Sequence, residues 1–149
     1  MKNFNHTDAE SLSQAAGILK EEQQNARIIA GGTDLLSVLK HKLEPDYPET
    51  IVNIKSIEGL DHIVEDEDGL KIGATAKLCD IASSPLIQKE YGALADAARS
   101  VATPLIRNLA TIGGNLCQEV RCWYYRYPDE IGGRIQCLRK GGDTCNAMT

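Results

Sequence analysis

The sequence has few aromatic side chains, no long hydrophobic run and no excess of positive charge. Aromatic residues make up 5% of the 149 residues, and 16 basic side chains stand against 21 acidic ones, a net charge of −5. Nucleic-acid-binding domains usually carry a basic patch, so this balance argues against nucleic acid as a partner. The chain also lacks a run of about 18 apolar residues, and we therefore expect no membrane-spanning helix and no membrane partner.

Two further absences limit the possible functions. Residues 1–6 lack the apolar stretch of a secretory signal peptide, so we expect a cytoplasmic protein. The three histidines, His6, His41 and His62, are scattered, and neither a Ser-His-Asp arrangement nor a plausible pair of carboxylates marks an active site. We therefore assign no catalytic residue.

Two glycine-rich turns are the most informative feature that is present. Residues 29–36 have the sequence Ile-Ala-Gly-Gly-Thr-Asp-Leu-Leu, and residues 110–116 have the sequence Ala-Thr-Ile-Gly-Gly-Asn-Leu. Glycine lets the backbone approach a ligand closely, and a strand–turn–helix junction leaves several N–H groups unpaired, which is typical of phosphate and pyrophosphate sites. One such turn is weak support for a phosphate site, and two in one small domain strengthen it.

The residues around these turns predict a small mixed fold. Residues 7–10 have a capping-box pattern, which predicts a helix with an apolar stripe from Leu12 to Leu19. A short buried strand at 27–30, a helix with Thr33 or Asp34 near its N-cap and a strand at 50–54 predict a parallel βαβ unit. Further along, residues 62–65 and 70–73 predict an antiparallel hairpin, and helices are expected near 77–83 and 94–102.

Together, the two turns resemble the FAD-binding subunits of the molybdenum hydroxylases, a family that includes xanthine dehydrogenase, carbon monoxide dehydrogenase and 4-hydroxybenzoyl-CoA reductase. Residues 51–54 and 70–75 also resemble segments of those subunits. The resemblance implies an α+β, PCMH-type (vanillyl-alcohol-oxidase-like) FAD-binding fold. In it, a small parallel βαβ subdomain over residues 1–55 precedes the start of an antiparallel α/β subdomain over residues 56–149. It also implies that the chain is the N-terminal portion of a longer subunit and is inactive alone.

The same resemblance implies that both turns wrap the pyrophosphate and ribityl parts of FAD. The cofactor-binding residues that it implies are Ile29, Ala30, Gly31, Gly32, Thr33, Asp34, Leu35 and Leu36 in the first turn, and Thr111, Ile112, Gly113, Gly114 and Asn115 in the second. A carboxylate beside a pyrophosphate would repel it. We therefore expect the Asp34 side chain to cap the following helix and to point away from the phosphates.

Cysteines are concentrated after residue 116. Cys117, Cys122, Cys137 and Cys145 lie among the glycine pairs 132–133 and 141–142. In a reduced protein, grouped thiols indicate metal binding more often than a disulfide framework. Zinc usually prefers a short Cys-x-x-Cys spacing, which is absent here, whereas an iron–sulfur cluster accepts irregular spacing.

The segment 117–149 also resembles an insert in the flavin subunit of 4-hydroxybenzoyl-CoA reductase, which carries a [4Fe–4S] cluster. By position, the resemblance implies Cys122, Cys137 and Cys145 as ligands and a fourth ligand beyond residue 149. Cys117 matches a cysteine that other family members share. We expect this loop to be disordered, displaced or paired with another chain until the fourth ligand is present. The alternative that the late cysteines are buried structural thiols stays open.

The function implied by the resemblance is electron transfer. The partners would be a molybdopterin-binding large subunit and a small subunit with [2Fe–2S] clusters, with NAD or ferredoxin as electron carrier. The enzyme would be an aryl-CoA reductase of the 4-hydroxybenzoyl-CoA reductase type. Two alternatives remain: a generic FAD-dependent oxidoreductase domain without molybdenum partners, and a structural metal-binding interaction module.

Overall fold

The computed structural model describes residues 1–44, 46–129 and 131–148. The strands are β1 (Asn5–Asp8), β2 (Ala26–Ile29), β3 (Thr50–Asn53), β4 (Ile63–Asp66) and β5 (Gly69–Ile72). The α-helices are α1 (Leu12–Glu22), α2 (Leu35–Lys40), α3 (Leu78–Ser83), α4 (Pro85–Glu90), α5 (Gly92–Ser100), α6 (Pro104–Arg107), α7 (Ile112–Leu116) and α8 (Trp123–Arg126). Within the described ranges, no helix has the length and apolar character needed to cross a membrane.

The first unit is a three-stranded parallel sheet in the order β1-β3-β2. The central strand β3 carries Ile51 and Val52, which are fully buried. The predicted parallel βαβ unit is confirmed as β2–α2–β3. The prediction that its first strand is buried is wrong, because β2 lies at the sheet edge and leaves Ile28 42% exposed.

Strand β1 replaces the helix start that was expected at residues 7–10. Its residues pair in register with β3, from Asn5 opposite Thr50 to Asp8 opposite Asn53. The helix begins later, at α1, where the Ser11 hydroxyl accepts a hydrogen bond from the Gln14 N–H at 3.1 Å. Residues 7–10 are therefore extended by pairing with the central strand, and the helix start moves to Ser11.

The second unit packs helices α3, α4 and α5 against the antiparallel hairpin β4–β5. Leu78, Ile81 and Ile87 form the centre of its core and are at most 1% exposed. The hairpin and the helices α3 and α5 confirm the prediction. Helices α4 and α6 were missed, although each begins with a capping hydroxyl followed by proline, a recognisable start signal.

The cysteine-rich segment packs against α2 of the first unit. Tyr125 is 2% exposed and lies in an apolar cluster with Val38, Leu43 and Cys137. Burial raises the pKa of the Tyr125 phenol, which keeps this ring neutral. The segment is therefore held by apolar contacts, and the expected disordered or displaced loop is not what the structure shows.

A buried lysine also organises this segment. The side chain of Lys140 is 1% exposed, and its ammonium group donates to the Tyr127 carbonyl at 2.8 Å and to Asp129 Oδ1 at 3.2 Å. A buried ammonium group needs such partners, since its desolvation is otherwise costly. These bonds connect residues 127–129 to residue 140 within the segment.

Gly73 and Gly17 give opposite expectations for stability. A Cβ on Gly73 would overlap the Leu60 carbonyl group, whereas a Cβ on Gly17, within α1, meets nothing within 4 Å. We expect Gly73→Ala to lower the free energy of unfolding by about 2 kcal/mol or more, through steric overlap. Gly17→Ala should raise it by about 0.5–1 kcal/mol, through helix propensity. Denaturant unfolding measures both, and equal stabilities would contradict this packing.

Candidate functional site

A cavity of about 510 Å³ lies between the two glycine-rich turns. The implied residues that line it are Ile29, Ala30, Gly31, Gly32, Thr33, Asp34 and Leu35 from the first turn, and Thr111, Gly113 and Gly114 from the second. Leu36, Ile112 and Asn115 are not among the lining residues, and Ile112 instead packs against the core of the second unit. The structure therefore brings the two turns to one cavity, as the sequence predicted.

Glycine is required in both turns for close packing of backbone on backbone. A Cβ on Gly31 would overlap the Leu109 carbonyl group, and a Cβ on Gly113 would lie 2.8 Å from the Ala74 carbonyl oxygen. Gly32 has a φ of +72°, a conformation that side-chain-bearing residues rarely adopt. Gly114 is the least constrained of the four, because the one atom near its Cβ would be the Thr111 hydroxyl oxygen, at 3.1 Å, which would have to shift slightly.

The first turn presents unpaired N–H groups to the cavity. Within the described part of the chain, none of the backbone N–H groups of residues 31–34 donates to a protein acceptor. These residues connect the end of β2 to α2, and all of them line the cavity. Consecutive unpaired N–H groups of this kind bind anions, because each donor otherwise lacks a partner.

The second turn uses its N–H groups internally. The N–H of Ile112 donates to the Ala76 carbonyl at 2.9 Å, and that of Gly113 donates to the Ala74 carbonyl at 3.0 Å. The N–H of Gly114 donates to the Thr111 hydroxyl at 3.2 Å. The two turns, alike in sequence, therefore differ: residues 31–34 all have N–H groups without a protein acceptor, whereas the N–H groups of Ile112, Gly113 and Gly114 are paired.

Asp34 does not cap α2 with its side chain, so that expectation is wrong. Its backbone occupies the N-cap position without a side-chain cap bond. Its carboxylate instead accepts from the Glu119 N–H and from the guanidinium groups of Arg121 and Arg126, each at 2.8 Å. Bonds from charged donors are stronger than a bond from a neutral N–H, which explains this choice.

Sequence reasoning missed these arginines. Arg126 lies 92 residues from Asp34 in the chain, and no motif connects the two positions. The one available signal was Asp34 itself, since a carboxylate on the wall of an anion site requires a positive partner. Arg27, Glu44 and Glu119 complete the polar part of the wall.

The late cysteines do not form a metal-binding set in this arrangement. Over residues 1–44, 46–129 and 131–148, no three His, Cys, Asp or Glu side chains are grouped to hold a metal ion. Cys137 is buried beside Tyr125, Cys122 packs against the same cluster, and Cys145 is partly buried. Cys117 is exposed and lies at the cavity wall.

Comparison with known proteins identifies the family. The sequence profile described as "FAD binding domain in molybdopterin dehydrogenase" matches residues 2–122. The chain therefore belongs to the FAD-binding domain family of the molybdopterin dehydrogenases, as the two turns implied. Most of the cysteine-rich segment lies outside the matched residues.

Individual relatives agree with this assignment. The nicotinate dehydrogenase FAD-subunit of Eubacterium barkeri is 38% identical over 117 residues, which are 78% of this chain and 39% of the relative. A carbon monoxide dehydrogenase structure from Hydrogenophaga pseudoflava matches with a TM-score of 0.71 and 34% identity, over 77% of this chain and 39% of that one. Quinoline 2-oxidoreductase from Pseudomonas putida 86 also matches with a TM-score of 0.71, at 30% identity, over 78% of this chain and 40% of that one. The chain thus spans about two fifths of the length of these relatives.

The difference between the two turns can be tested by amide hydrogen exchange. We expect the N–H groups of Gly31 and Gly32 to exchange near their intrinsic rates. Those of Ile112 and Gly113 should be protected at least about tenfold, because their hydrogen bonds must open first. Exchange measured by NMR resolves these amides individually. Equal protection of these four amides would contradict the assignment of free N–H groups to Gly31 and Gly32 and of paired ones to Ile112 and Gly113.

Proposed function

We propose that this chain is the FAD-binding part of an electron-transfer subunit in a molybdenum-containing oxidoreductase. The supporting observation is the cavity between the two turns, which is lined by residues 31–34, whose N–H groups have no protein acceptor in the described part of the chain. Family membership supports FAD as the ligand of this cavity.

The residues divide among the parts of the cofactor according to their chemistry. The N–H groups of residues 31–34 would hold the pyrophosphate, since they are consecutive donors without a protein acceptor at the cavity wall. Gly114 would allow close approach from the opposite wall, where a side chain would narrow the cavity. When bound, the flavin accepts and donates electrons, while the protein supplies position and electrostatics.

The rest of the assembly follows by analogy with relatives. Subunits named for nicotinate dehydrogenase and carbon monoxide dehydrogenase share the matched domain. We therefore propose a molybdopterin-binding large subunit and a [2Fe–2S] small subunit as partners, and NAD or ferredoxin as electron carrier.

The cysteine-rich segment suggests the type of enzyme, which we propose to be an aryl-CoA reductase. A generic FAD-dependent domain without molybdenum partners is the alternative, and co-purification of a molybdenum-containing subunit distinguishes the two.

FAD binding can be tested at Gly114. We expect Gly114→Val to weaken FAD binding at least about tenfold, because Gly114 lines the cavity and the atom nearest to an added Cβ is the Thr111 hydroxyl oxygen rather than the backbone of another element. Gly92→Val is the matched control, since Gly92 opens α5 away from the cavity and its Cβ meets nothing within 4 Å. Titration by flavin fluorescence measures both dissociation constants.

The outcomes separate clearly. Equal FAD affinity in wild type and Gly114→Val would contradict close approach at the second turn. Lack of FAD binding by the wild-type chain and by its natural assembly would contradict the function itself. Loss of binding in Gly92→Val would indicate a general folding defect and require comparison at equal folded fraction.

A [4Fe–4S] cluster on Cys122, Cys137 and Cys145 is a separate proposal. Two contacts support it. Cys122 and Cys137 pack in the same apolar side-chain cluster, and the Leu138 N–H donates to the Thr144 carbonyl at 2.9 Å, which places Cys145 near Cys137 in the fold. A fourth ligand and rearrangement of the three thiols would be needed, because the present arrangement does not converge.

Iron content tests this proposal in the natural protein. We expect Cys137→Ser to lose about four irons per subunit while FAD is retained, as one [4Fe–4S] cluster would require. Cys79→Ser is the control, since Cys79 lies on α3 outside the cysteine-rich segment. Unchanged iron content in Cys137→Ser, measured with the absorption spectrum, would exclude Cys137 as a ligand.

A further inference from the structure

We propose that Arg126 is a positioning residue that neutralises Asp34 and thereby allows the first turn to bind the FAD pyrophosphate. This inference rests on the proposed function. It assigns a cofactor-directed role to a residue outside the matched family domain, which ends at residue 122.

The geometry singles out Arg126 among the arginines around the cavity. Its guanidinium donates to Asp34 Oδ1 at 2.8 Å, to the Val120 carbonyl at 2.9 Å and to the Glu119 carbonyl at 3.0 Å. The side chain is 17% exposed, whereas that of Arg121, the second partner of Asp34, is 62% exposed. Solvent screens Arg121, so Arg126 supplies the stronger compensation of the Asp34 charge.

Compensation matters at this position because Asp34 belongs to the anion-binding turn. The Asp34 side chain is 14% exposed, and Asp34 directly follows Gly31, Gly32 and Thr33, which line the cavity and whose N–H groups have no protein acceptor among the described residues. An unpaired carboxylate so close to the pyrophosphate would repel it in a poorly solvated site. With Arg126 in contact, the local charge no longer opposes an anion.

The other carboxylates of the cavity wall follow the same arrangement. Glu44 pairs with Arg27 at 3.0 Å, and Glu119 pairs with Arg139 at 3.1 Å. Among the described lining residues, Asp34, Glu44 and Glu119 are the acidic ones, and each contacts an arginine. Each carboxylate of the wall is thus balanced by an arginine. A dianionic ligand is repelled less by such a wall than by one with unpaired carboxylates.

The arrangement also links the cysteine-rich segment to the cofactor. Arg126 ends α8, and α8 carries Tyr125, which packs against Val38 of α2. If docking of α8 favours FAD binding, then FAD binding must favour docking of α8 by the same factor. The segment therefore contributes to cofactor affinity even though the family domain ends before it.

A double-mutant cycle that removes the charges of Arg126 and Asp34, singly and together, tests this inference. We expect Arg126→Met to raise the dissociation constant for FAD about tenfold, because it leaves the Asp34 carboxylate poorly compensated. Asp34→Asn should bind FAD at least as tightly as wild type, and Asp34→Asn combined with Arg126→Met should return to within about threefold of wild type, since no charge then requires compensation. Arg99→Met, which removes an exposed ion pair with Asp96 on α5, is the control.

Each outcome decides a definite point. If Asp34→Asn and the double variant bind FAD as weakly as Arg126→Met, the pair merely anchors the segment and the inference is overturned. Unchanged affinity in Arg126→Met also overturns it. If Arg126→Met folds poorly, Asp34→Asn alone still decides between the two roles. Neutralisation predicts that Asp34→Asn binds FAD at least as tightly as wild type, whereas anchoring predicts that it binds FAD more weakly. A wild-type protein that does not bind FAD overturns the proposed function first, a result distinct from either of these.

Discussion

The close approach of Gly31 to the Leu109 carbonyl group is the contact on which the site depends. It joins the β2–α2 connection of the parallel unit to the chain that leads into α7. Gly113 makes a second such approach, to Ala74. Backbones can come this near only where no Cβ intervenes. Glycine at positions 31 and 113 is therefore needed for the packing that forms the cavity, apart from any contact with a ligand.

The sequence predicted the parts of the fold that local patterns determine. The βαβ unit around Thr50–Asn53 and the β4–β5 hairpin follow from strand periodicity and turn residues, and both are confirmed. Strand β1 could not be found in this way, because Asn5–Asp8 is a short polar segment that is extended only by pairing with β3. Tertiary hydrogen bonding overrode a plausible local cap.

For the candidate site, too, the sequence identified the local motifs but not the long-range contacts. Both turns were identified from their glycines, yet their sequences look alike and gave no sign that residues 31–34 have N–H groups without protein acceptors while those of Ile112, Gly113 and Gly114 are paired. That distinction arises because Ala74 and Ala76 supply carbonyl partners to the second turn, a long-range contact. The Asp34–Arg126 contact was hidden for the same reason, although electrostatics required some cation near Asp34.

Asp34 resolves an apparent conflict between its charge and its place. An aspartate in an anion-binding turn is unfavourable by itself, but one that holds Arg126 and the Glu119 N–H becomes an attachment point for the following segment. Because the apolar contacts of Tyr125 fix the same segment to α2, two independent interactions hold it beside the cavity. The cysteine-rich segment therefore lies next to the first glycine-rich turn, and any redox group that it held in this position would lie close to that turn.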